Sequence, residues 1–122
     1  MLKDFIKSSK AISDETRVRI LKLLEKQELC VCQLMAILEI GQSTVSKHLG
    51  ILKNAGLVEV RKEWTWSFYR LSKEGINTYN RNFLKLLSSV LNDDALVRED
   101  EARLREVVKK DIKVLCNIGK KK

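Results

Sequence analysis

Residues 28–56, ELCVCQLMAILEIGQSTVSKHLGILKNAG, hold two apolar-periodic stretches joined by a few residues that include one glycine. Val31, Leu34, Met35 and Leu38 recur at i, i+3, i+4 and i+7, one face of a helix. Val45, Leu49 and Leu52 form the inner face of a second helix, which opens at Ser43 as N-cap and stops at Gly56. Gly41 is expected to supply a turn with positive φ between them. Two helices so joined are the helix-turn-helix pattern.

The flanks extend the pattern. Residues 2–12 carry Leu2, Phe5, Ile6 and Ile12, a short first helix. SDETRVRILKLLEK then opens with Ser13 or Asp14 as N-cap, and Val18, Ile20, Leu21 and Leu24 give it a wide apolar face. After Gly56 the period changes. LVEVRK to SFYRL reads as a β-hairpin with its tip near residues 63–65. Ser72 is expected to cap a helix carrying Ile76, Tyr79, Phe83, Leu86 and Val90 through residue 91. The run NDD breaks it, and a last helix is expected over about 98–117, with Leu104, Val107, Val108, Ile112, Leu115 and Cys116 as its apolar positions. The fold class is therefore mainly α with a small β-hairpin wing: a winged helix-turn-helix. Residues 1–92 form its DNA-binding and dimerisation domain and 93–122 a C-terminal helical extension. The long apolar faces outside the helix-turn-helix call for a partner, and a second subunit is the economical one.

Charge narrows the function. Of 122 residues, 24 are Lys or Arg and 16 Asp or Glu, a formal +8 that favours an anionic partner, most simply nucleic acid. No apolar run is long enough to span a bilayer and no secretory leader is visible, so a cytoplasmic protein with no membrane role is expected. The single histidine, with no Gly-rich phosphate loop and no paired acids around it, leaves little from which to build an active site. The chain is therefore read as a binding protein and not an enzyme.

Short hydrogen-bonding groups and cations on the second helix suit base edges and phosphates in a major groove. These are Gln42, Ser43, Thr44, Ser46, Lys47, His48 and Lys53. The hairpin adds Arg61, Lys62 and Arg70 beside Trp64 and Trp66. The bland reading is a solvated polar face, with Trp66 and Phe68 as sheet core. Trp64 is the odd residue, because hairpin tips favour glycine or polar side chains.

AISDETRVRILKLL, ELCVCQL, QSTVSKHLGILKNAGLV and the EVRKEW…FYRL wing resemble, in order, the arsenic-repressor (ArsR/SmtB) family of winged helix proteins, over about residues 8–92. The resemblance implies a homodimeric repressor, held together by its first helix and its post-wing helices. It would bind an imperfect palindrome in double-stranded operator DNA at its own promoter and let go when a metal or metalloid binds. ELCVCQL looks like the metal-binding box of the arsenic- and antimony-responsive branch. Two positions depart from the family: its wing tip often carries glycine where this chain has Trp64, and its box has a third cysteine where this chain has Met35. A thioether is a poor substitute for a thiolate, so the usual three-sulfur site cannot form from this segment alone.

The chain has three cysteines, Cys30, Cys32 and Cys116. An odd number argues against a closed disulfide framework, and free thiols are expected. Two residues apart on a helix differ by about 200° in direction. Cys30 and Cys32 converge only if Cys30 is still extended or the first turn unwinds. Soft thiolates suit soft centres, and zinc prefers more donors than this segment offers. As(III) or Sb(III) is thus the expected inducer, no cofactor is needed for folding, and Cys116 is the candidate third donor, from the same subunit or its partner. Alternatives stay open: thiol oxidation or another soft metal as the signal, a C-x-C oxidoreductase, or a constitutive DNA-binding protein whose cysteines are small buried hydrophobes.

Overall fold

The computed structural model describes residues 1–73, 77–112 and 114–115. Its elements run α1 (Leu2–Ala11), α2 (Glu15–Leu24), β1 (Leu29–Cys30), α3 (Val31–Leu38), α4 (Gln42–Asn54), β2 (Val58–Glu63), β3 (Trp66–Leu71), α5 (Thr78–Ser88) and α6 (Ala95–Val107). This is the winged helix-turn-helix order expected from the sequence, with one addition. The hairpin gains a third strand: Leu29 and Cys30 pair antiparallel with Tyr69 and Phe68, so the sheet order is β1-β3-β2. Two residues are too short to show a period, which is why the strand is invisible in the pattern.

Local chemistry sets the helix ends. Asp14 caps α2 by accepting from the Arg17 amide at 3.1 Å, and Asp94 caps α6 by accepting from the amides of Leu96 and Val97. The second cap starts the last helix three residues earlier than the apolar period alone suggests, and the helix ends at Val107, where the expected helix to 117 is broken over 108–111. Asn77, not Ser72, caps α5. Between α3 and α4 the left-handed residue is Glu39, at φ 58°, whereas Gly41 is extended at φ −74° and is itself the N-cap of α4 in place of Ser43. Glu39 is held there by α6: Arg103 reaches its carboxylate at 3.5 Å and donates to the Ile37 carbonyl at 3.4 Å. A cation at the carboxyl end of a helix is well placed against its dipole.

One core joins all of this. Ile20, Leu21, Leu23, Leu29, Leu34, Ile37, Val45, Leu49, Leu52 and Leu57 are fully buried, and Leu104 and Val107 of α6 join the same cluster. On α3 the buried set is Leu34, Ile37 and Leu38, while Val31 and Met35 are only half-buried. The helix is rotated from the expected face because it starts from strand β1, where burial of Cys30 sets its phase. Two cations of α2 tie the periphery to it. Arg19 makes a bidentate pair with Asp100 of α6 at 2.8 and 2.9 Å. Lys22 pairs with Glu25 and also donates to the Leu87 and Val90 carbonyls, capping the exit of α5.

Candidate nucleic-acid interface and thiol cleft

Helix α4 buries Val45, Leu49 and Leu52 and leaves Gln42, Ser43, Thr44, Ser46, Lys47 and Lys53 exposed. Six of the seven residues proposed on this helix thus share a free surface of hydrogen-bonding groups and cations. His48 does not. It is half-buried, with Nδ1 3.1 Å from the Arg17 guanidinium and 3.9 Å from the Asp14 carboxylate. A guanidinium only donates, so Nδ1 accepts and the ring proton sits on Nε2. Arg17 is anchored in turn on the Ala11 and Lys10 carbonyls at 2.7 and 3.3 Å. His48 therefore ties the middle of α4 to the α1–α2 corner. Asp14 titrates below its ordinary range, first because it accepts from the Arg17 backbone amide and further through the charge of Arg17.

At the exit of α4, Ser8 of α1 and Asn80 of α5 donate to the same carbonyl, that of Ala55, at 3.4 and 2.8 Å. At its entry, a cleft of about 710 Å³ is lined by Gln42, Ser43 and Thr44 together with Cys32, Met35, Glu39 and Leu115.

On the wing, Arg61 is committed inside the protein. It donates to the Glu28 carboxylate in a very short contact, pairs with Glu63 at 2.9 Å and lies over the Phe68 ring at 4.9 Å. Hydrogen bonding to Glu28, then to Glu63, pushes its pKa well up, and the same bond holds Glu28 below the ordinary carboxylate range. Arg70 pairs with Glu59 at 3.0 Å. Lys62 is exposed, with no ion pair among the described residues.

The cysteines separate. Cys30 is extended (φ −93°, ψ 169°), 2% exposed and free, and its amide donates to the Gln33 side chain at 3.0 Å. Cys32 is half-buried on the cleft and disulfide-bonded, so the expectation of free thiols throughout fails at this residue. Cys116 lies outside the described residues, but its chain neighbour Leu115 lines the same cleft as Cys32. Among the described residues no three His, Cys, Asp or Glu side chains are grouped to hold a metal, and no helix is long and apolar enough to cross a membrane.

Arg17 and Arg103 position α4 and the turn before it. The Glu99–Arg103 pair within α6 is legible as an i,i+4 spacing, but the contacts of Arg17 with Ala11 and His48, and of Arg103 with Ile37 and Glu39, cross between elements and only the tertiary structure identifies them. The α1 and α5 faces meet through Phe5, whose ring centroid is 5.8 Å from Tyr79 and 5.7 Å from Phe83. Around them Leu2, Ile6, Leu86 and Val90 stay exposed.

A profile described as bacterial regulatory protein, arsR family, matches residues 14–60. An HTH-type transcriptional regulator of Methanocaldococcus jannaschii is 54% identical over 61 residues, covering 49% of this chain and 68% of that protein. The arsenical resistance operon repressor of Bacillus subtilis is 37% identical over 78 residues, covering 63% of this chain and 74% of the repressor. Among solved structures, the homodimeric winged helix-turn-helix DNA-binding domain of a possible ArsR-family regulator from Mycobacterium bovis superposes with a TM-score of 0.64 at 29% identity, over 75% of this chain and 82% of that one.

Proposed function

The chain belongs to the ArsR family of DNA-binding transcriptional regulators, which are not enzymes, and on that premise we propose that it is a repressor. It binds operator DNA as a homodimer and lets go when As(III) or Sb(III) takes its cysteine thiolates. The name of the Bacillus relative supports the repressor reading, and the homodimeric Mycobacterium domain supports the dimer. The exposed apolar face of α1 and α5 is the surface on which a second subunit would sit.

One observation carries the proposal: Cys32 and Leu115 line one cleft with the first three residues of the exposed helix. Whatever binds at Cys32 touches the start of α4. The donor set fits a soft centre. A trivalent metalloid supplies the capacity to tie two or three sulfurs together. Cys32 would hold it first, because its side chain faces the cleft. Cys116 is the proposed further donor, because its chain neighbour Leu115 lines the cleft, and it could come from the same subunit or its partner. Cys30 joins only if the first turn of α3 opens, since its side chain is buried at the β1–α3 junction. Opening that turn loosens the support of α4. A tenfold to hundredfold loss of DNA affinity needs about 1.4–2.7 kcal/mol of coupling between the two sites.

A second reading is favoured by the state of Cys32. A disulfide at the cleft is the oxidised form of a thiol switch, so oxidation itself can be the signal. The test is fluorescence anisotropy of the reduced protein on a labelled duplex from immediately upstream of its own gene. Arsenite, zinc and peroxide are titrated separately into the parent, Cys32→Ser and Cys116→Ser. Release by arsenite in the parent and not in Cys32→Ser supports the first reading, and its loss in Cys116→Ser makes Cys116 a donor. Release by peroxide and not by arsenite transfers the function to redox sensing. Tight binding that none of the three relieves sinks both.

A further inference from the structure

Trp64 breaks two ordinary rules at once. Its side chain is 92% exposed, the most exposed large hydrophobic residue among those described. Its backbone lies at φ 59°, a region that glycine enters freely and a side chain with a Cβ enters at a cost. The turn demands that φ. Glu63 pairs with Trp66, so residues 64 and 65 form a two-residue hairpin connection, whose favoured types need positive φ at the first position and select Gly, Asn or Asp there. Nothing among the described residues offsets either cost. Trp64 has no ring contact, hydrogen bond or ion pair among the described residues. The fold would be better served by glycine at this point, which directs attention to something outside it.

We propose that Trp64 is the wing's DNA contact, laying its indole against sugars and base edges of the minor groove beside the major groove that α4 enters. The inference rests on the DNA-binding reading of α4. Three features favour DNA as the occupant. Strand β2 follows α4 after a three-residue connection and runs six residues, a reach of about 20 Å. Half a turn of duplex is about 17 Å, so the tip arrives one groove away from α4. Glu28 and Glu63 share Arg61, and Glu59 pairs with Arg70. Lys62, exposed and with no ion pair among the described residues, balances the remaining carboxylate charge beside the indole, so the tip carries no net repulsion toward phosphate and sets a cation next to an aromatic. Aromatic rings stack on nucleotides with little regard for sequence, and apolar side chains wedge at minor-groove steps.

The experiment compares the parent with Trp64→Gly, Trp64→Asn and Lys62→Ala in salt-titrated binding to the upstream duplex, alongside urea unfolding and sedimentation. Both Trp64 variants are expected to be at least as stable as the parent, because their residues suit the turn. Both should bind the duplex about tenfold more weakly or worse, as expected for a lost aromatic stack. The salt slope should not change in either, since no phosphate contact is removed. Lys62→Ala should reduce that slope by about one per wing. In a Trp66→Phe background, emission from Trp64 alone should shift when duplex is added. Parent-like affinity in both Trp64 variants, or a silent Trp64 while the parent binds, overturns the proposal. So does a Trp64 variant that changes the sedimenting species, because it assigns the indole to a protein contact. A parent that binds no duplex overturns the regulator reading and this one with it.

Discussion

Replacing Asp100 with alanine should destabilise the whole domain, because it strands a nearly buried guanidinium. The Asp100 side chain is 3% exposed and that of Arg19 16%. Both guanidinium–carboxylate bonds are short and parallel, at 2.9 and 2.8 Å. Hydrogen bonding to Asp100 is the main cause of the raised Arg19 pKa. Removing one member of such a pair costs about 3–5 kcal/mol. Against a total of about 5–15 kcal/mol for a domain, that is a large share. Urea unfolding at fixed protein concentration reads the loss. With a slope of about 1–3 kcal/mol per molar, the midpoint should fall by at least about 1 M. The diagnostic variant is Arg19→Met with Asp100→Leu. It removes both charges and fills the space, so most of the loss should return. The cycle isolates the pair from the packing of each side chain. A single-variant loss below about 1 kcal/mol would refute the reasoning. So would a double variant as damaged as the sum of its parts, because the loss would then come from packing. Because α6 joins the common core, unfolding should remain a single transition in every variant.

Three further outcomes follow from the geometry. Leu86→Glu places a charge on the exposed α1–α5 face and should convert a dimer to monomer in sedimentation without lowering helix content; an unchanged species would move the interface elsewhere. Gly56→Ala should cost about 1–2 kcal/mol in urea unfolding, because φ is 82° and the new Cβ would stand 3.1 Å from the Asn80 amide nitrogen; a cost under about 0.5 kcal/mol would contradict that account. Asp14 and Glu28 both have folded pKa values below their unfolded ones, near 3.8 and 4.5. Their stabilisation is fully present above those values and is lost as pH falls through the lowered folded ones. Asp14→Asn and Glu28→Gln should each flatten the acid limb of stability below about pH 4.5, and an unchanged limb would show that neither carboxylate contributes to it.

The helix-turn-helix and wing were legible because their signals are local. Apolar period, the Asp14 cap and the stop at Gly56 each act within a few residues, and together they order the elements correctly. What failed to show depends on distant parts of the chain. Gly41 was the obvious left-handed residue, yet Glu39 takes that role with Arg103 of α6 bridged to it, across 64 positions of sequence. His48 reads as an outward residue of α4 by its spacing. It turns inward because Arg17, anchored on two carbonyls, offers it a donor. Arg61 looked like a free cation on the wing. Glu28 and Glu63 claim it, and Glu28 reaches it only because the unforeseen strand β1 pairs with β3. The thiol pair was legible as a motif and not as a geometry: a strand ends at Cys30, so one sulfur goes under the sheet and the other onto the cleft.

The exposed helix is held at two points and borders the cleft at a third. Its exit is latched by Ser8 and Asn80, from the two helices whose exposed apolar faces are the proposed dimer surface. Its middle is fixed by His48 on Arg17. Its entry lines the cleft with Cys32 and Leu115. In the proposed dimer, attachment at the exit would let the pairing of subunits set the angle between two α4 helices, which must match half-sites one duplex turn apart. The entry borders Cys32 and, at Leu115, the C-terminal part of the chain. On the proposed function, a change there would tilt or free the first turn of α4 while the exit stays fixed, and small displacements of Gln42, Ser43 and Thr44 would then weaken their proposed base contacts. Dimerisation and effector response can therefore be separated: variants at Ser8 or Asn80 should weaken DNA binding with or without effector, whereas variants at Cys32 should alter only the response.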